Sequence, residues 1–549
     1  FNNMNRNIKV AVAQMNSYVG GVEYNYKKIV KFIKSAKERA ADLICFPELA
    51  LVGYPPEDLL LSSKFLKSVE LAIKKIQQSK YKTSFILGYP KIIEGKLFNV
   101  AGVFINGQLK YEYKKIYLPN YGVFDEERYF AAGNKPLIFN FKGRNICLTI
   151  CEDIWHKNGI YNNLSNIESL DLLINISASP YSTFKQGERF KLLSSISKKN
   201  NLEIVYCNMV GGQDELVFDG ASMYLDSKGN PILKGKDFSE DLLIKTLGRR
   251  LRYKAIPIKR GTKNESLLHI FSALSLGLKD YVLKNGFKKV VIGISGGIDS
   301  ALVAAIAAKS LGPKNVLGIA MPTKFNSQLS LNLANDLSEN IGFRLKISEI
   351  QEIFDNNLKL LKRDVYGKTD FDITEENLQA RIRANILMAT SNKLGSLLLS
   401  TGNKSETSIG YSTLYGDATG GIAILKDIPK TLVYDLAKFY NIHNPNQAIP
   451  LKIIHRDPSA ELRMNQKDSD SLPPYKILDK ILELHIEDGI EAIKIASKLG
   501  IKKSLVLKII NKLNMSEFKR RQGPIGIKIT SKAFGRDRRY PITNGFKEA

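Results

Sequence analysis

The first half of the chain is dominated by short apolar runs, which is the pattern of buried β-strands. Strands are predicted at residues 8–12, 42–46, 85–87, 100–105, 145–151, 170–176 and 203–207. Between the first two strands, Ile29, Phe32, Ile33 and Ala36 recur at helical spacing and predict a helix over residues 26–40. Many strands with few long helices between them indicate a layered α/β or α+β sandwich.

The pattern changes after a basic segment, residues 249–263, which contains Pro257 and Gly261 and which we interpret as a linker. Helices are then predicted at residues 265–283, 300–311 and 329–341, and strands at 289–293, 315–320 and 344–347. This βαβαβ order indicates a parallel, doubly wound sheet. Residues past 475 are mostly helical and end in a basic segment, 519–540. We therefore predict domains at residues 1–250 and 264–549, joined by a linker at 251–263.

Composition is that of a globular protein with real cores, because 44% of the 549 residues are apolar and 25% are charged. No apolar run reaches the ~18 residues that a membrane helix needs, and the N-terminus lacks the apolar stretch of a signal peptide. We therefore expect a soluble, cytoplasmic protein that binds no membrane. Four cysteines without zinc or CxxC spacing argue against a disulfide scaffold, and five histidines leave carboxylates, lysines or thiols as the expected catalytic groups.

The net charge of +27 raises the question of nucleic-acid binding. Residues 1–260 hold 39 basic and 25 acidic residues, and residues 261–549 hold 42 and 29. Because the excess is spread evenly, without a basic stripe, we favour a lysine-rich surface over a nucleic-acid footprint. A generally positive field would still attract anionic substrates.

The most informative motif of the second half is VVIGISGGIDS at residues 290–300. A β-branched strand runs through two glycines into a helix, and this geometry lets backbone N–H groups approach an anion. Ser295 and Ser300 add hydroxyl donors, and Asp299 suits bound phosphate if Mg²⁺ lies between them. The alternative is an ordinary strand–turn–helix with a capping Asp or Ser, which the complete SGGxDS pattern makes the weaker interpretation.

This motif resembles the phosphate loop of the N-type ATP pyrophosphatases, and it is not a Walker A loop because GK[ST] is absent. Further motifs follow: ENLQARIR at 376–383, STGNKSE at 400–406, GY at 410–411, YGD at 415–417, PSAEL at 458–462 and LPPY at 472–475. Together with these motifs, residues 265–542 resemble the NAD synthetases. The resemblance implies a doubly wound, adenine nucleotide alpha hydrolase-like domain.

The same resemblance implies three sets of site residues. ATP would bind to Gly293, Ile294, Ser295, Gly296, Gly297, Ile298, Asp299, Ser300 and Thr401. Mg²⁺ would bind to Asp299 and Glu406. Deamido-NAD would contact Asn377, Arg381, Glu406, Asp417, Lys430 and Lys519. From residue type alone, alternatives stay open: Arg381 and Arg383 as solvated surface charges, Glu406 as a helix cap, and residues 519–521 as a solvated tail.

Three polar residues of the first half stand at the ends of apolar runs: Glu48, Lys115 and Cys151. A carboxylate can take the proton of a thiol as general base, while an ammonium stabilises the thiolate and an oxyanion. Alone, Cys151 would more simply be a small buried apolar residue, as we interpret Cys45, Cys147 and Cys207.

The combination of FPE, YKKIYLP and CEDIW around these residues resembles the nitrilase superfamily over residues 8–222. The resemblance implies an α-β-β-α sandwich that hydrolyses an amide at Cys151. It also favours Lys115 over Lys114, which would fall on the opposite strand face. Tyr121, Ser179 and Lys185 would then bind glutamine, and residues 121–126 match glutaminases attached to NAD synthetases.

Taken together, the two resemblances imply that ammonia released from L-glutamine amidates deamido-NAD to NAD through an adenylated intermediate, giving AMP, pyrophosphate and glutamate. The expected partners are these small molecules, with Mg²⁺, and further copies of the chain in a homo-oligomer. Two alternatives are a tRNA-modifying enzyme with the same phosphate loop and an inactive basic binding protein. The even charge distribution argues against the first, and the complete set of polar site residues argues against the second.

Overall fold

The structure is a computed structural model that describes residues 7–78, 82–156, 159, 164, 170–248, 251–257, 262–367, 369–463, 466–470, 472–546 and 548. The chain forms two compact units, residues 1–262 and 263–549. Residues 249–250 and 258–261 of the predicted linker, including Gly261, lie outside the described residues. Within the described ranges no helix is long and apolar enough to cross a membrane.

The first unit contains fourteen strands and three α-helices in its described part. The strands are β1 Ile8–Gln14, β2 Leu43–Cys45, β3 Ser84–Ile93, β4 Lys96–Ile105, β5 Gln108–Lys114, β6 Leu137–Phe141, β7 Arg144–Ile150, β8 Leu170–Ser177, β9 Glu203–Asn208, β10 Val210–Gln213, β11 Leu216–Asp219, β12 Met223–Leu225, β13 Pro231–Lys234 and β14 Asp241–Leu247. The helices are α1 Val22–Glu38, α2 Ser63–Gln78 and α3 Lys185–Asn200.

These elements form two six-stranded sheets with orders β14-β1-β2-β3-β4-β5 and β13-β12-β9-β8-β7-β6. Alternate residues of β1 point to opposite faces: Val10 and Val12 pack towards the second sheet, while Ala11 and Ala13 pack beneath α1 and α2. Helix α3 packs on β9 and β12 of the second sheet. The predicted α-β-β-α sandwich is therefore confirmed.

The bounds of several predicted elements differ from the structure, and two of the differences have a clear local cause. Helix α1 begins at Val22 rather than residue 26. The buried Asn25 side chain fixes this start by bonding the backbone of Tyr18 and Leu51. Strand β7 ends at Ile150, one residue before Cys151, which has a positive φ of 42° and begins a short 3₁₀ turn.

The second unit contains twelve α-helices and five strands in its described part. The helices are α4 Lys263–Lys284, α5 Ile298–Leu311, α6 Gln328–Ile341, α7 Gln351–Asp364, α8 Ile373–Leu394, α9 Lys404–Ile409, α10 Lys430–His443, α11 Leu451–His455, α12 Tyr475–Leu482, α13 Ala492–Leu499, α14 Lys503–Met515 and α15 Glu517–Arg520. The strands are β15 Val290–Gly293, β16 Val316–Ala320, β17 Arg344–Ile347, β18 Leu397–Ser400 and β19 Ile422–Ala423.

All five strands run parallel in the order β17-β16-β15-β18-β19, so the predicted doubly wound sheet is confirmed. The chain leaves β15 towards one edge of the sheet and returns at β18 towards the other. Open parallel sheets bind ligands at this switch point, beyond the carboxyl ends of the two central strands.

The C-terminal basic segment is not a simple solvated tail. Arg520 and Arg538 are buried, and both donate hydrogen bonds to Oε2 of Glu517, at 2.8 and 3.0 Å. Paired in this way, the two guanidinium groups hold the segment against the helical end of the unit.

Candidate active sites

Three strand ends of the first unit bring Glu48, Lys115 and Cys151 together. Glu48 lies shortly after β2, Lys115 directly follows β5, and Cys151 directly follows β7. The exposed fractions of the three residues are 0%, 1% and 5%. Buried charges persist only when they are paired, so the neighbours of each group decide its chemistry.

The Lys115 ammonium lies between two carboxylates. Its Nζ donates to Glu48 Oε1 at 2.7 Å and to both oxygens of Glu126, at 2.8 and 2.9 Å. Lys114 points elsewhere, with Nζ 4.5 Å from the centroid of the Phe98 ring. The structure therefore brings Lys115, not Lys114, to Glu48.

Glu126 is a site residue that the sequence did not identify. It is buried in a 3₁₀ turn, accepts a 2.8 Å hydrogen bond from the Tyr54 hydroxyl, and has a pKa that burial raises to about 7. No periodicity marks this position, and only the fold brings it to Lys115. Its presence in the YGVFDE segment was the single available signal.

Glu48 is held rigidly by groups other than Lys115. The Asn99 side-chain amide donates to Oε1 at 2.8 Å, and the backbone N–H of Ala178 donates to Oε2 at 3.0 Å. Three donors thus fix the carboxylate in the apolar interior, where it can accept a proton without changing position.

Cys151 sits on a turn that the buried Asp153 carboxylate ties to the end of β5. Asp153 accepts from the backbone N–H groups of Ile150, Ile116 and Tyr117 at 2.8, 3.1 and 3.0 Å, and from the Tyr113 hydroxyl at 2.7 Å. The turn with the thiol and the segment with the lysine therefore share one anchor.

The surroundings of the Cys151 thiol favour its protonated form. Burial raises its pKa, the Glu48 carboxylate raises it further, and the Lys115 ammonium lowers it in part. Because the thiolate is the nucleophile, this cysteine needs a base to take its proton at the moment of attack. Of the surrounding charged groups, Glu48 has the largest electrostatic effect on this thiol, which makes it the candidate for that base.

The three predicted glutamine-binding residues flank this turn. Tyr121 is 58% exposed, and its hydroxyl donates to Glu152 Oε2 at 2.9 Å. Lys185 Nζ lies 4.0 Å from the centroid of the Trp155 ring. Ser179 is buried beside the segment that binds Glu48, and its N–H donates to Asn208 Oδ1 at 2.9 Å. The exposed Tyr121 and the half-buried Lys185 thus lie near the turn, and the buried Ser179 lies next to Ala178, which binds Glu48.

In the second unit, the chain between β15 and α5 forms a tight turn. Gly296 has φ +77°, and a Cβ there would stand 2.4 Å from the carbonyl oxygen of Ser330. The hydroxyls of Ser295 and Ser300 brace the turn: Gly297 N–H donates to Ser295 Oγ at 3.2 Å, and Ser300 Oγ donates to the Gly297 carbonyl at 3.1 Å. The segment is the strand–turn–helix that the sequence predicts, and the residues at the N-terminus of α5 line a cavity.

The turn opens on a cavity of about 400 Å³ at the switch point of the sheet. Most of the predicted nucleotide and substrate residues line it: Gly293, Ile294, Ser295, Gly297, Ile298, Asp299, Ser300, Asn377, Thr401, Glu406, Asp417, Lys430 and Lys519. Two predicted residues are not among the lining residues. Gly296 is turned towards Ser330, and Arg381 is exposed with Nε 3.2 Å from the Leu414 carbonyl.

One wall of the cavity carries two carboxylates bridged by an ammonium. Lys430 Nζ donates to Asp299 Oδ2 at 2.5 Å and to Glu406 Oε1 at 3.1 Å. Asn403 joins them, because its amide donates to Asp299 Oδ1 at 2.9 Å and its Oδ1 accepts from Glu406 N–H at 3.0 Å. Burial raises the pKa of Glu406 to about 7, and the two carboxylates raise that of Lys430.

These carboxylates fit a magnesium ion that is shared with a nucleotide. Among the described residues no group of three or more His, Cys, Asp or Glu side chains could hold a metal ion. Mg²⁺, however, is usually bound by one or two carboxylates, with substrate phosphates and water completing its shell. Asp299 and Glu406 provide such a pair on the wall beside the turn.

The remaining predicted residues meet around the segment that follows α9. Thr413 donates through its hydroxyl to Asn377 Oδ1 at 2.7 Å and through its N–H to Asp417 Oδ1 at 2.6 Å. Lys519 Nζ donates to the carbonyls of Gly410 and Ser412, both at 2.9 Å. Their polar groups therefore form a second, continuous wall.

Arg383, for which a solvated surface charge was the alternative, lines the cavity instead. Its Nε donates to the Met321 carbonyl and its Nη2 to Asn326 Oδ1, both at 3.0 Å, and burial lowers its pKa to about 10. The ARIR segment contains Arg381 and Arg383, which point in different directions from the helix. The side that packs against the cavity is the side of Arg383.

Comparison with known proteins identifies relatives of both units. The family model carbon-nitrogen hydrolase matches residues 9–255, and the model NAD synthase matches residues 270–523. The glutamine-dependent NAD(+) synthetase of Thermotoga maritima is 43% identical over 99% of this chain and 100% of its own length. That of Aquifex aeolicus is 43% identical over 98% and 100%. The solved structure of the glutamine-dependent NAD+ synthetase from Acinetobacter baumannii with ADP is 40% identical, with a TM-score of 0.79 over 99% and 100% of the two chains.

Proposed function

The chain belongs to the family of glutamine-dependent NAD(+) synthetases, and we propose on that premise which of its residues perform each part of the reaction. It is an enzyme that carries out ATP-dependent amidation with glutamine as the nitrogen donor. The first unit releases the nitrogen, and the second unit activates the acceptor with ATP.

In the first unit, Cys151 attacks the side-chain amide carbon of glutamine while Glu48 takes the thiol proton. The Lys115 ammonium donates to the oxygen of the tetrahedral intermediate, in which negative charge develops. The C–N bond then breaks, the proton held by Glu48 goes to the leaving nitrogen, and ammonia departs. Glu48 then takes a proton from water, whose oxygen attacks the thioester carbon. The C–S bond breaks, glutamate leaves, and the proton on Glu48 returns to the Cys151 sulfur.

Glu126 and the three flanking residues support this step. Both carboxylate oxygens of Glu126 accept hydrogen bonds from the Lys115 ammonium. This pairing keeps the ammonium charged and in place while Glu48 gains and loses a proton. Tyr121, Ser179 and Lys185 bind glutamine in our proposal. Their places around the Cys151 turn support this assignment.

In the second unit, the segment from Gly293 to Ser300 and Thr401 bind ATP, with the first N–H groups of α5 directed at the phosphates. The carboxylate oxygen of deamido-NAD attacks the α-phosphorus, and pyrophosphate leaves. Ammonia then attacks the resulting acyl adenylate, which gives NAD and AMP. Contacts to deamido-NAD or to the phosphates come from Asn377, Arg381, Glu406, Asp417, Lys430 and Lys519.

Asp299 and Glu406 would hold Mg²⁺ together with the nucleotide. A bound magnesium ion neutralises phosphate charge as it develops on the leaving group. The residues of the chain itself supply the remaining positive charge through Lys430, which already contacts both carboxylates.

A single observation carries this proposal: one cavity at the switch point of the parallel sheet collects the phosphate turn, both carboxylates and Lys430. The test is synthesis from ATP, deamido-NAD and glutamine labelled with ¹⁵N in the amide, followed by mass spectrometry of NAD. We expect labelled NAD, with AMP, pyrophosphate and glutamate in equal amounts.

The matched variant is Cys151→Ala, with Cys147→Ala as control because Cys147 is a buried cysteine on β7. We expect Cys151→Ala to abolish the label in NAD and to retain synthesis from added ammonium. Loss of ammonium-driven synthesis in Cys151→Ala but not in Cys147→Ala would refute the division of labour between the units.

Two finer expectations accompany the proposal. The resemblance to the family leads us to infer a homo-oligomer, which light scattering of the purified full chain would measure. The use of ATP and deamido-NAD leads us to infer action in the cytoplasm, which fractionation of the source cells would test.

A further inference from the structure

A buried carboxylate outside the cavity connects two helices of the proposed ATP site. Asp479 lies on α12, is 8% exposed and does not line the cavity. Its Oδ2 accepts from the Thr431 N–H at 2.9 Å and from the Thr431 hydroxyl at 2.8 Å. Its Oδ1 accepts a short hydrogen bond from the Ser405 hydroxyl. Both partners are sequence neighbours of site residues.

The Ser405 hydroxyl makes a second contact that closes the link. While it donates to Asp479, its oxygen accepts from the Lys430 N–H at 2.8 Å. Ser405 belongs to α9 and is fully buried, and the next residue is Glu406. One hydroxyl thus joins the backbone of Lys430 to the helix that carries Glu406.

These bonds replace the missing cap of α10. Pro429 precedes that helix and provides no side-chain cap, so the N–H groups of Lys430 and Thr431 need other acceptors. Ser405 and Asp479 are those acceptors, and a carboxylate at a helix N-terminus is favoured by the helix dipole. A capping side chain from α10 itself would not connect α10 to α9. Because the acceptors here come from α9 and α12, they fix the position of α10 relative to α9.

Helix α12 also contacts the far end of the Lys430 side chain. Lys430 Nζ lies 5.4 Å from the centroid of the Tyr475 ring, and the Tyr475 hydroxyl donates to Asp468 at 2.8 Å. The helix therefore contacts the ammonium of Lys430 through Tyr475, and it reaches the Lys430 backbone through Asp479 and the Ser405 hydroxyl.

We propose that Asp479 is a positioning residue of the synthetase site, which acts through Ser405 and Thr431 to hold Glu406 and Lys430 at bonding distance from each other. The inference rests on the proposed roles of Glu406 and Lys430. A displacement of about 1 Å between reacting groups can cost a hundredfold in rate, so a fixed register between two short helices has catalytic value.

The first experiment compares two buried serines of the same helix. Ser408, like Ser405, is fully buried on α9, and its hydroxyl donates to the Lys404 carbonyl within the helix. We expect Ser405→Ala to lower kcat of ammonium-driven synthesis by about tenfold or more, and Ser408→Ala to change it by less than about twofold. Glutaminase activity of both variants should stay unchanged. Equal kcat values for the two variants would overturn the proposal.

The second experiment uses conservative rescue. Thr431→Val removes the hydroxyl, whereas Thr431→Ser keeps both hydrogen bonds to Asp479. We expect Thr431→Val to lower kcat of synthesis severalfold and Thr431→Ser to restore it, with equal melting temperatures for the two variants. Loss of kcat in proportion to loss of folded protein, without rescue, would indicate a purely structural cap and contradict the proposal.

The third experiment separates this inference from the function on which it rests. Lys430→Met and Glu406→Gln should each abolish ammonium-driven synthesis and leave glutaminase intact. If they do, and Asp479→Asn retains kcat, only the positioning role is wrong. If Lys430→Met retains full synthesis, both the site assignment and the positioning role are wrong.

Discussion

At the scale of single residues, the first unit places two carboxylates, an ammonium and a thiol in one apolar interior. Lys115 is shared by Glu48 and Glu126, so one ammonium faces two carboxylates. This arrangement leaves Glu48 able to accept a proton, because Glu126 continues to pair with the lysine. The cost is that the thiol is harder to ionise, since a nearby carboxylate opposes the thiolate.

The reactivity of Cys151 should therefore increase steadily with pH. A raised pKa keeps the thiolate fraction small at pH 7, and this fraction grows about tenfold for each pH unit below the pKa. We expect the rate of alkylation by iodoacetamide to rise through pH 9 without a plateau, after subtraction of the rate of Cys151→Ala. The other three cysteines are fully buried and should contribute little. A plateau below pH 7.5 would show a lowered pKa and contradict this account.

Asp299 should matter only to the half of the reaction that uses ATP. Asp299→Asn removes a carboxylate from Lys430 and from the proposed metal site, so Mg²⁺-dependent binding of ATP should weaken by at least about tenfold. Calorimetry with and without Mg²⁺ would measure this change. Asp364→Asn is the control, because Asp364 lies at the end of α7, outside the lining of the cavity, and pairs with its neighbour Arg363. Unchanged Mg²⁺-dependent binding in Asp299→Asn would refute the role of Asp299.

At the scale of elements, the geometry of the turn between β15 and α5 depends on one glycine. Gly296→Ala would place a methyl group 2.4 Å from the Ser330 carbonyl in a left-handed conformation, and the turn would have to move. We expect the Kd for ATP to rise by at least about tenfold, measured by calorimetry.

Gly286→Ala provides the matched control for this turn. Gly286 also has a positive φ, of +82°, but nothing lies within 4 Å of an added Cβ. It should lower the free energy of unfolding by about 1 kcal/mol, the cost of the left-handed backbone, and leave the Kd unchanged. Equal effects of the two variants on ATP binding would show that the close approach to Ser330 is unimportant.

Elements were more predictable than their contacts. The apolar runs before Glu48 and Cys151 could be read directly as buried strands. Strand β5 before Lys115 is largely polar and exposed, and the sequence pattern did not predict it. Glu126 could not be predicted, since it comes from a short turn and reaches Lys115 only through the fold. The motif around Arg381 did not tell which of its two arginines faces the cavity: Arg381 is exposed, and Arg383 lines the cavity. Motifs identify a helix, but its rotation is set by packing.

At the scale of the whole molecule, the chain carries a net charge of +27, and its two proposed sites act on substrates of different charge. Glutamine carries no net charge, whereas ATP and deamido-NAD are anions. A net positive charge in both halves of the chain raises the local concentration of anions and has little effect on a zwitterion. Salt should therefore separate the two activities.

We expect kcat/KM for ATP in ammonium-driven synthesis to fall severalfold as ionic strength rises from about 0.05 to about 0.5 M, over which the Debye length shortens to a few ångströms. In the same solutions kcat/KM for glutamine hydrolysis should change by less than about twofold, which makes the glutaminase an internal control. Parallel losses in both activities would indicate a general effect of salt on the protein and would contradict electrostatic attraction of the nucleotide.

The anchoring of two chain segments on Asp153 has a mechanical consequence. The carboxylate binds the backbone N–H just before Cys151 and two N–H groups just beyond Lys115. We therefore expect thermal fluctuations to displace the thiol and the ammonium together. The distance between the thiol and the ammonium would then change little when the surrounding sandwich fluctuates. Glutamine would therefore bind to a thiol and an ammonium that are already arranged for the reaction.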